Sequence, residues 1–300
     1  MTEQRAAGAT DLGDNLRVLK AADVRELRLP WDARLNRHEI EQVARLYPGL
    51  SVWNPGSGEY LITGPWRHRA EIATVVEVSG GASAAELYGG FLARAACEGM
   101  QLALVSEYSE RRKEEFYARV GMEHLEQIVV YEIGSLRPPR HRPLDLRFHQ
   151  VTAGTPELQA ELLELDHRAF PWLWWNSSAE LDQYLGSAGV SIWLAHDQRG
   201  SPIAYVGTTL LRSWGHLDRI AVDPTLQGQG LGRKALEFAI ATLVSQGARR
   251  VALSTQANNT VSRRLYENFG FRRTPGHDYR IYGRWLGAAE LVEKERLVSG

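Results

Sequence analysis

A chain of 300 residues exceeds one average domain, and its 44% hydrophobic and 24% charged residues suffice to bury a sizeable core. The formal net charge of −1 removes any global argument for nucleic acid, and the single cysteine, Cys97, excludes an intramolecular disulfide and a cysteine-rich zinc site. No apolar run approaches the about 18 residues of a membrane span, and no secretory segment opens the chain. A soluble, cytoplasmic protein with no membrane partner, no nucleic-acid partner and no metal is expected.

The first 15 residues are polar and rich in Gly and Ala, and are expected to be disordered. Residues 51–53 and 60–64 read as two strands, and Ser79-Gly80-Gly81-Ala82-Ser83 leads from a strand ending at Val78 into a helix. Cys97 closes an apolar helical stretch, which implies a buried, inert thiol. A strand at 102–104 and a helix around Phe116 and Tyr117 complete the first half, and the Pro/Arg-rich residues 136–143 read as a linker. The second half opens with a helix from Pro156 to about Ala169. Phe170-Pro171-Trp172-Leu173-Trp174-Trp175-Asn176 follows, with more tryptophan than one helix face buries. Strands are expected at 191–193, 204–207, 217–222 and 250–254, and a helix runs from Asn259, a good N-cap, to Gly270, a good C′ residue. Val261, Leu265 and Phe269 give that helix one apolar stripe.

Between the strand at 217–222 and the next helix lies Asp223-Pro224-Thr225-Leu226-Gln227-Gly228-Gln229-Gly230-Leu231-Gly232-Arg233-Lys234. A glycine-rich turn at a helix N-terminus is an anion cradle. The spacing is not a P-loop, because Ala235 follows Lys234 where serine or threonine is needed. Nor is it G-x-G-x-x-G, because the glycines alternate at 228, 230 and 232. Gln227-x-x-Gly230-x-Gly232 resembles the pyrophosphate loop of the GNAT superfamily of acyl-CoA N-acyltransferases. Asn259-Thr260-Val261-Ser262-Arg263-Arg264-Leu265-Tyr266-Glu267-Asn268-Phe269-Gly270-Phe271 is similar to a second motif of that superfamily, one βαβ unit further on.

The chain also resembles itself. Tyr117 overlays Tyr266 at a shift of 149 (266 − 117), and the same shift lays residues 102–104 on 251–253 without a gap. Each half reads as hairpin, strand, helix, strand, helix and final strand. The implied fold is α/β of the α+β mixed-sheet kind, as two tandem GNAT-like domains: 16–135, degenerate because its turn at 79–83 lacks the Gln-x-x-Gly-x-Gly run, and 144–300, catalytic. Two-domain members of the superfamily share this layout.

The resemblance implies an N-acyltransferase that uses acetyl-CoA or another acyl-CoA, with a small-molecule or peptide amine as acceptor. Backbone groups of Ile220, Ala221 and Val222 would pair with pantetheine, Gln227, Gly228, Gln229, Gly230, Leu231, Gly232, Arg233 and Lys234 would frame the pyrophosphate, and Asn259 and Ser262 would touch the cofactor. Tyr266 would protonate the sulfur, and the other reading of it is a core tyrosine. Some protein N-terminal acetyltransferases of the superfamily carry a glutamate where this chain has Ser254. The base is left between His216, Asp218 and water. Strand alternation puts Trp214, His216, Asp218 and Ile220 on one face, opposite Leu217 and Ala221, and Asp218 is alternatively the partner of a neighbouring arginine. Trp172, Trp174 and Trp175 either wall the acceptor or pack. Asp166 and His167 either reach the amine or sit at a solvated helix end, and the helix end is the expectation. The Arg pairs 249–250, 263–264 and 272–273 make either a solvated surface or a basic face beside the cofactor. A CoA-binding sensor or scaffold of the same fold is the competing function.

Overall fold

The computed structural model describes residues 12, 15–108, 112–134, 136 and 146–287. Most of the N-terminal 15 residues, and nearly all of the linker at 136–143, lie outside the described residues. Two compact units are present: one holds the described residues up to Leu125 together with those from Tyr279, the other Glu126–Asp278.

Unit 1 contains β1 (Arg17–Val18), α1 (Arg37–Leu46), β2 (Val52–Trp53), β3 (Tyr60–Trp66), β4 (Arg69–Val78), α2 (Ala84–Cys97), β5 (Leu102–Glu107) and α3 (Glu114–Arg119). β6 (Glu123–Gly134) follows in the chain, and from Glu126 onward it belongs to unit 2. Unit 2 continues with β7 (Arg147–Val151), α4 (Pro156–Ala169), α5 (Ser178–Leu185), β8 (Val190–His196), β9 (Pro202–Leu211), β10 (Trp214–Val222), α6 (Leu231–Ser245), β11 (Arg250–Gln256), α7 (Thr260–Phe269) and β12 (Arg272–Arg273). The last strand, β13 (Tyr279–Trp285), belongs to unit 1.

The units therefore differ from the sequence halves 16–135 and 144–300 at two strands. β6 lies antiparallel to β11, from Arg250↔Gly134 to Gln256↔Ile128. β13 lies antiparallel to β5, from Arg280↔Glu107 to Trp285↔Leu102. Each sheet is thus completed by the final strand of the other half. Strand order is β1-β2-β3-β4-β5-β13 in unit 1 and β6-β11-β10-β9-β8-β7 in unit 2, mixed in both because β4–β5 and β10–β11 are parallel.

Local chemistry sets the helix ends. Asn36 accepts from Glu39 N and starts α1, Ser177 accepts from Glu180 N at α5, and Asn259 accepts from Ser262 N at α7. Gly270 closes α7 at φ +115°, a left-handed C′ that other residues adopt at a cost. In unit 2, Leu217, Val251, Leu253, Val129 and Tyr131 pack with Ala235, Leu236, Ala239, Ile240 and Leu243 of α6 on one face of the sheet. Leu162, Leu165 and Leu181 of α4 and α5 pack with Tyr205 and Ala221 on the other. Cys97 departs from expectation: the inward face of α2 is Leu87, Tyr88, Phe91 and Ala95, and Cys97, two positions past Ala95, is exposed.

Candidate active site

β10 and β11 part company halfway. Their parallel ladder runs from Trp214↔Arg250 to Leu217↔Leu253, whereas β10 stays paired with β9 as far as Val222↔Ala204. A bulge causes the change of direction. Asp218 is the extra residue between the pairs Leu217↔Thr208 and Arg219↔Gly207. It also inverts the alternation: Leu217 and Ile220 pack on the α6 side, Ala221 on the α4 side. The simple period-two assignment of 214, 216, 218 and 220 to one face therefore fails at the bulge.

Past Val222 the chain enters the cradle. Asp223 accepts from Thr225 N (3.0 Å) and Thr225 Oγ1 (2.6 Å) and pairs with Arg168 (3.0 Å), and the threonine hydroxyl above all holds its carboxyl below the usual range. Gly228 and Gly230 sit at φ +77° and +80°, with nothing within 4 Å of a hypothetical Cβ on either. A Cβ on Gly232 would meet Leu265 at 3.4 Å and Val222 at 3.9 Å, so this glycine sits against α7 and β10 without open space around it. The first intrahelical bond is Lys234 N to Gly230 O (3.2 Å), which leaves the amides of 231–233 without a partner inside the helix. Gln227 and Gln229 are exposed in the turn, and Arg233 pairs along the helix with Glu237 (3.0 Å). The turn offers space, amides and a positive helix end, which fits a pyrophosphate. In unit 1 the corresponding turn has one amide engaged, since Glu59 Oε2 accepts from Ser83 N (2.8 Å) and a Cβ on Gly81 would lie 1.7 Å from Glu59 Oε1, while a cavity of about 420 Å³ remains beside Gly80, Gly81 and Ala82.

On α7, Asn259 serves as the N-cap, with Ser262 in the first turn. Tyr266, one turn beyond Ser262, is 4% exposed within the α6-side core. Burial pushes its hydroxyl up to about 12, against a smaller downward pull from Ser262.

His216 and Asp218 come together, with Nδ1 2.6 Å from Oδ1. Thr209 Oγ1 donates to Asp218 Oδ2 (2.7 Å), and so does Tyr184 OH from α5, which Gly207 admits. Asp218 is therefore an oriented acceptor for a half-exposed histidine rather than the partner of an arginine.

That arginine role falls to Asp166, which is fully buried rather than at a solvated helix end. It receives Arg219 Nη2 (2.7 Å), Asn176 N (2.8 Å), Asn176 Nδ2 (2.9 Å) and Tyr205 OH. Arg219 also donates to Trp174 O (2.6 Å) and lies 4.0 Å over the Phe170 ring. Trp175 stacks on His167 and donates to Phe170 O (2.8 Å), Leu173 is buried, and Trp172 and Trp174 are half-buried. Trp174 Nε1 donates to Glu126 Oε2 on β6 (2.7 Å). Glu126 is 4% exposed, and burial raises its carboxyl to about 8. One arginine of each pair is engaged: Arg250 lies over Trp214, Arg263 donates to Ala257 O (2.7 Å), and Arg273 pairs with Asp278.

Glu126, Arg219, Tyr184 and Thr209 escaped the sequence reading. Glu126 lies in the half of the chain without a cradle motif, and only strand pairing carries it into unit 2.

Residues 157–271 match the model of the acetyltransferase (GNAT) family. Over 109 residues the chain is 34% identical to [ribosomal protein bS18]-alanine N-acetyltransferase of Escherichia coli strain K12, spanning 36% of this chain and 70% of that one. The chain belongs to the GNAT acetyltransferase family and is an acyltransferase. Among solved structures, a GCN5-related N-acetyltransferase from Sphaerobacter thermophilus superposes with a TM-score of 0.58 at 16% identity, covering 90% of this chain and 95% of that one. A tandem GNAT protein from the clavulanic acid biosynthesis pathway gives 0.55 at 13%, covering 92% and 99%. At such identities these two show the fold alone, and it is the mixed-sheet fold that the sequence implied.

Proposed function

We propose that unit 2 holds the active centre, and that it transfers an acetyl group from acetyl-CoA to a primary amine by direct attack. The parting of β10 from β11, beside a glycine turn that opens α6, carries this reading. Backbone groups of Ile220, Ala221 and Val222 lie where β11 no longer pairs with β10, so a pantetheine arm has a strand edge to bond. The turn from Gln227 to Lys234 would hold the pyrophosphate, with Asn259 and Ser262 at its side. The cofactor supplies an activated thioester.

The chain's own groups do the rest. An amide at the strand edge polarises the carbonyl and receives the developing oxyanion. Tyr266, with its hydroxyl raised to about 12, stays protonated and donates a hydrogen bond toward the departing sulfur. A thiol ordinarily titrates at about 8.5, so full proton transfer from so weak an acid is uphill and the hydrogen bond is the contribution. His216, steered by Asp218, faces the side where Trp172, Trp174 and Trp175 wall the acceptor. The acceptor is a small-molecule or peptide amine, and the name of the Escherichia coli relative makes a peptide N-terminal amine the first to try. A cytoplasmic setting suits acetyl-CoA. Thiol release from acetyl-CoA against amino acids, short peptides and aryl-alkyl amines tests the reading. Release with at least one amine is expected, whereas tight CoA binding with no release on any amine would point to a sensor.

A further inference from the structure

Buried polar atoms in folded proteins are nearly always bonded, so each exception calls for a cause. Glu126 Oε1 is buried and has no hydrogen-bond partner. Its position is specific. Ile128 pairs with Gln256, and Ala257 N donates to Gln127 O (2.8 Å), so Glu126 sits at the far end of β11, in the stretch that has left β10. Val129 and Tyr131 face the α6-side core. By alternation Glu126, Ile128 and Val130 face the opposite side, that of the tryptophan turn. Trp174 spans the gap: its carbonyl oxygen receives Arg219 of β10 (2.6 Å), and its indole N–H holds Glu126 Oε2 of β6 (2.7 Å).

We propose that Glu126 takes the proton from the acceptor amine, so that a residue from the first half of the sequence completes the centre in unit 2. This rests on the function proposed above. The carboxylate removes one proton from the nitrogen as its lone pair forms the N–C bond to the thioester carbonyl. The C–S bond then breaks, its pair leaves on sulfur, and the proton passes from Glu126 through solvent to that thiolate. Because Oε1 is buried, the tryptophan turn, which holds Oε2, must move aside as the acceptor binds. Burial dominates the titration of Glu126. Residues 254–256 of β11 and 172–175 of the turn bring no charge toward it, and the Arg219–Asp166 pair meets the other end of Trp174. A carboxyl near 8 matches an α-amine, itself at about 8, which suits proton transfer in the transition state.

The test compares the whole protein with Glu126→Gln, which keeps the side-chain shape and an acceptor for Trp174. Acetyl-CoA is paired with whichever panel amine the wild type turns over. For Glu126→Gln, kcat/KM should fall on the order of 10²–10⁴-fold, with acetyl-CoA affinity and thermal melt retained. The acid limb near pH 8 should vanish, leaving only the limb of the amine itself. Trp174→Phe removes the bond that lowers the carboxyl, so its limb should move to higher pH. An unchanged rate and limb in Glu126→Gln would overturn the proposal, as would loss of the limb in His216→Gln alone. In both cases the wild type still turns over and the functional reading stands. A wild type that releases no thiol with any amine would sink both.

Discussion

Tyr266 divides two demands on one side chain, since its ring belongs to the core while its hydroxyl is held in the protonated form. Tyr266→Phe should keep the fold and acetyl-CoA affinity and slow the chemical step by about 10–100-fold, the loss of one donor worth about 1.5–3 kcal/mol. Single-turnover kinetics reads this, and an unchanged step would leave Tyr266 with packing alone. Asp166 answers the buried Arg219 together with Tyr205 and Asn176. Removing one partner of a buried pair typically costs about 3–5 kcal/mol, so Asp166→Ala should lower the melting temperature sharply. Glu126 gives a signed pH effect. Its folded carboxyl titrates at about 8 against an ordinary 4.5, so between those values the native state binds the extra proton. Stability should therefore fall as pH rises through that window, by on the order of 5 kcal/mol at most, and Glu126→Gln should flatten the slope in denaturant melts.

At the scale of elements, the cradle was legible because its three glycines have separate causes. Two sit at positive φ, and the third lies against Leu265 and Val222. A side chain at Gly230 adopts the left-handed region at about 1–2 kcal/mol, and a carboxylate there also repels a phosphate. Gly230→Glu should weaken acetyl-CoA binding at least tenfold with little change in secondary structure. The helix ends at Asn259 and Gly270 were equally readable, because capping is local chemistry. The bulge at Asp218 was not. Nothing in Leu217-Asp218-Arg219 marks an extra residue, and the bulge shows only in the pairing, where β10 stays on β9 while leaving β11. The arginine of this strand, Arg219, pairs with Asp166 and not with Asp218.

For the whole molecule, the repeat was visible in sequence and the destination of its last strands was not. Local pattern makes β6 and β13 strands, but long-range pairing decides which sheet receives them. The same pairing hid Glu126 from any reading that treats the halves separately. A fragment of residues 144–300 retains the cradle but lacks β6 beside β11. It should melt without cooperativity by circular dichroism, and a sharp melt matching the full chain would show that the exchanged strand is dispensable.

The Gln-x-x-Gly-x-Gly run stands at the turn of unit 2 and is missing from that of unit 1, so one CoA site per chain is expected. Calorimetric titration of the full chain with CoA, repeated on Gly230→Glu, measures this directly. One site per chain in the wild type, lost or strongly weakened in the variant, is the predicted result. Two equivalent sites, or affinity that survives Gly230→Glu, would contradict a single cradle at residues 227–234.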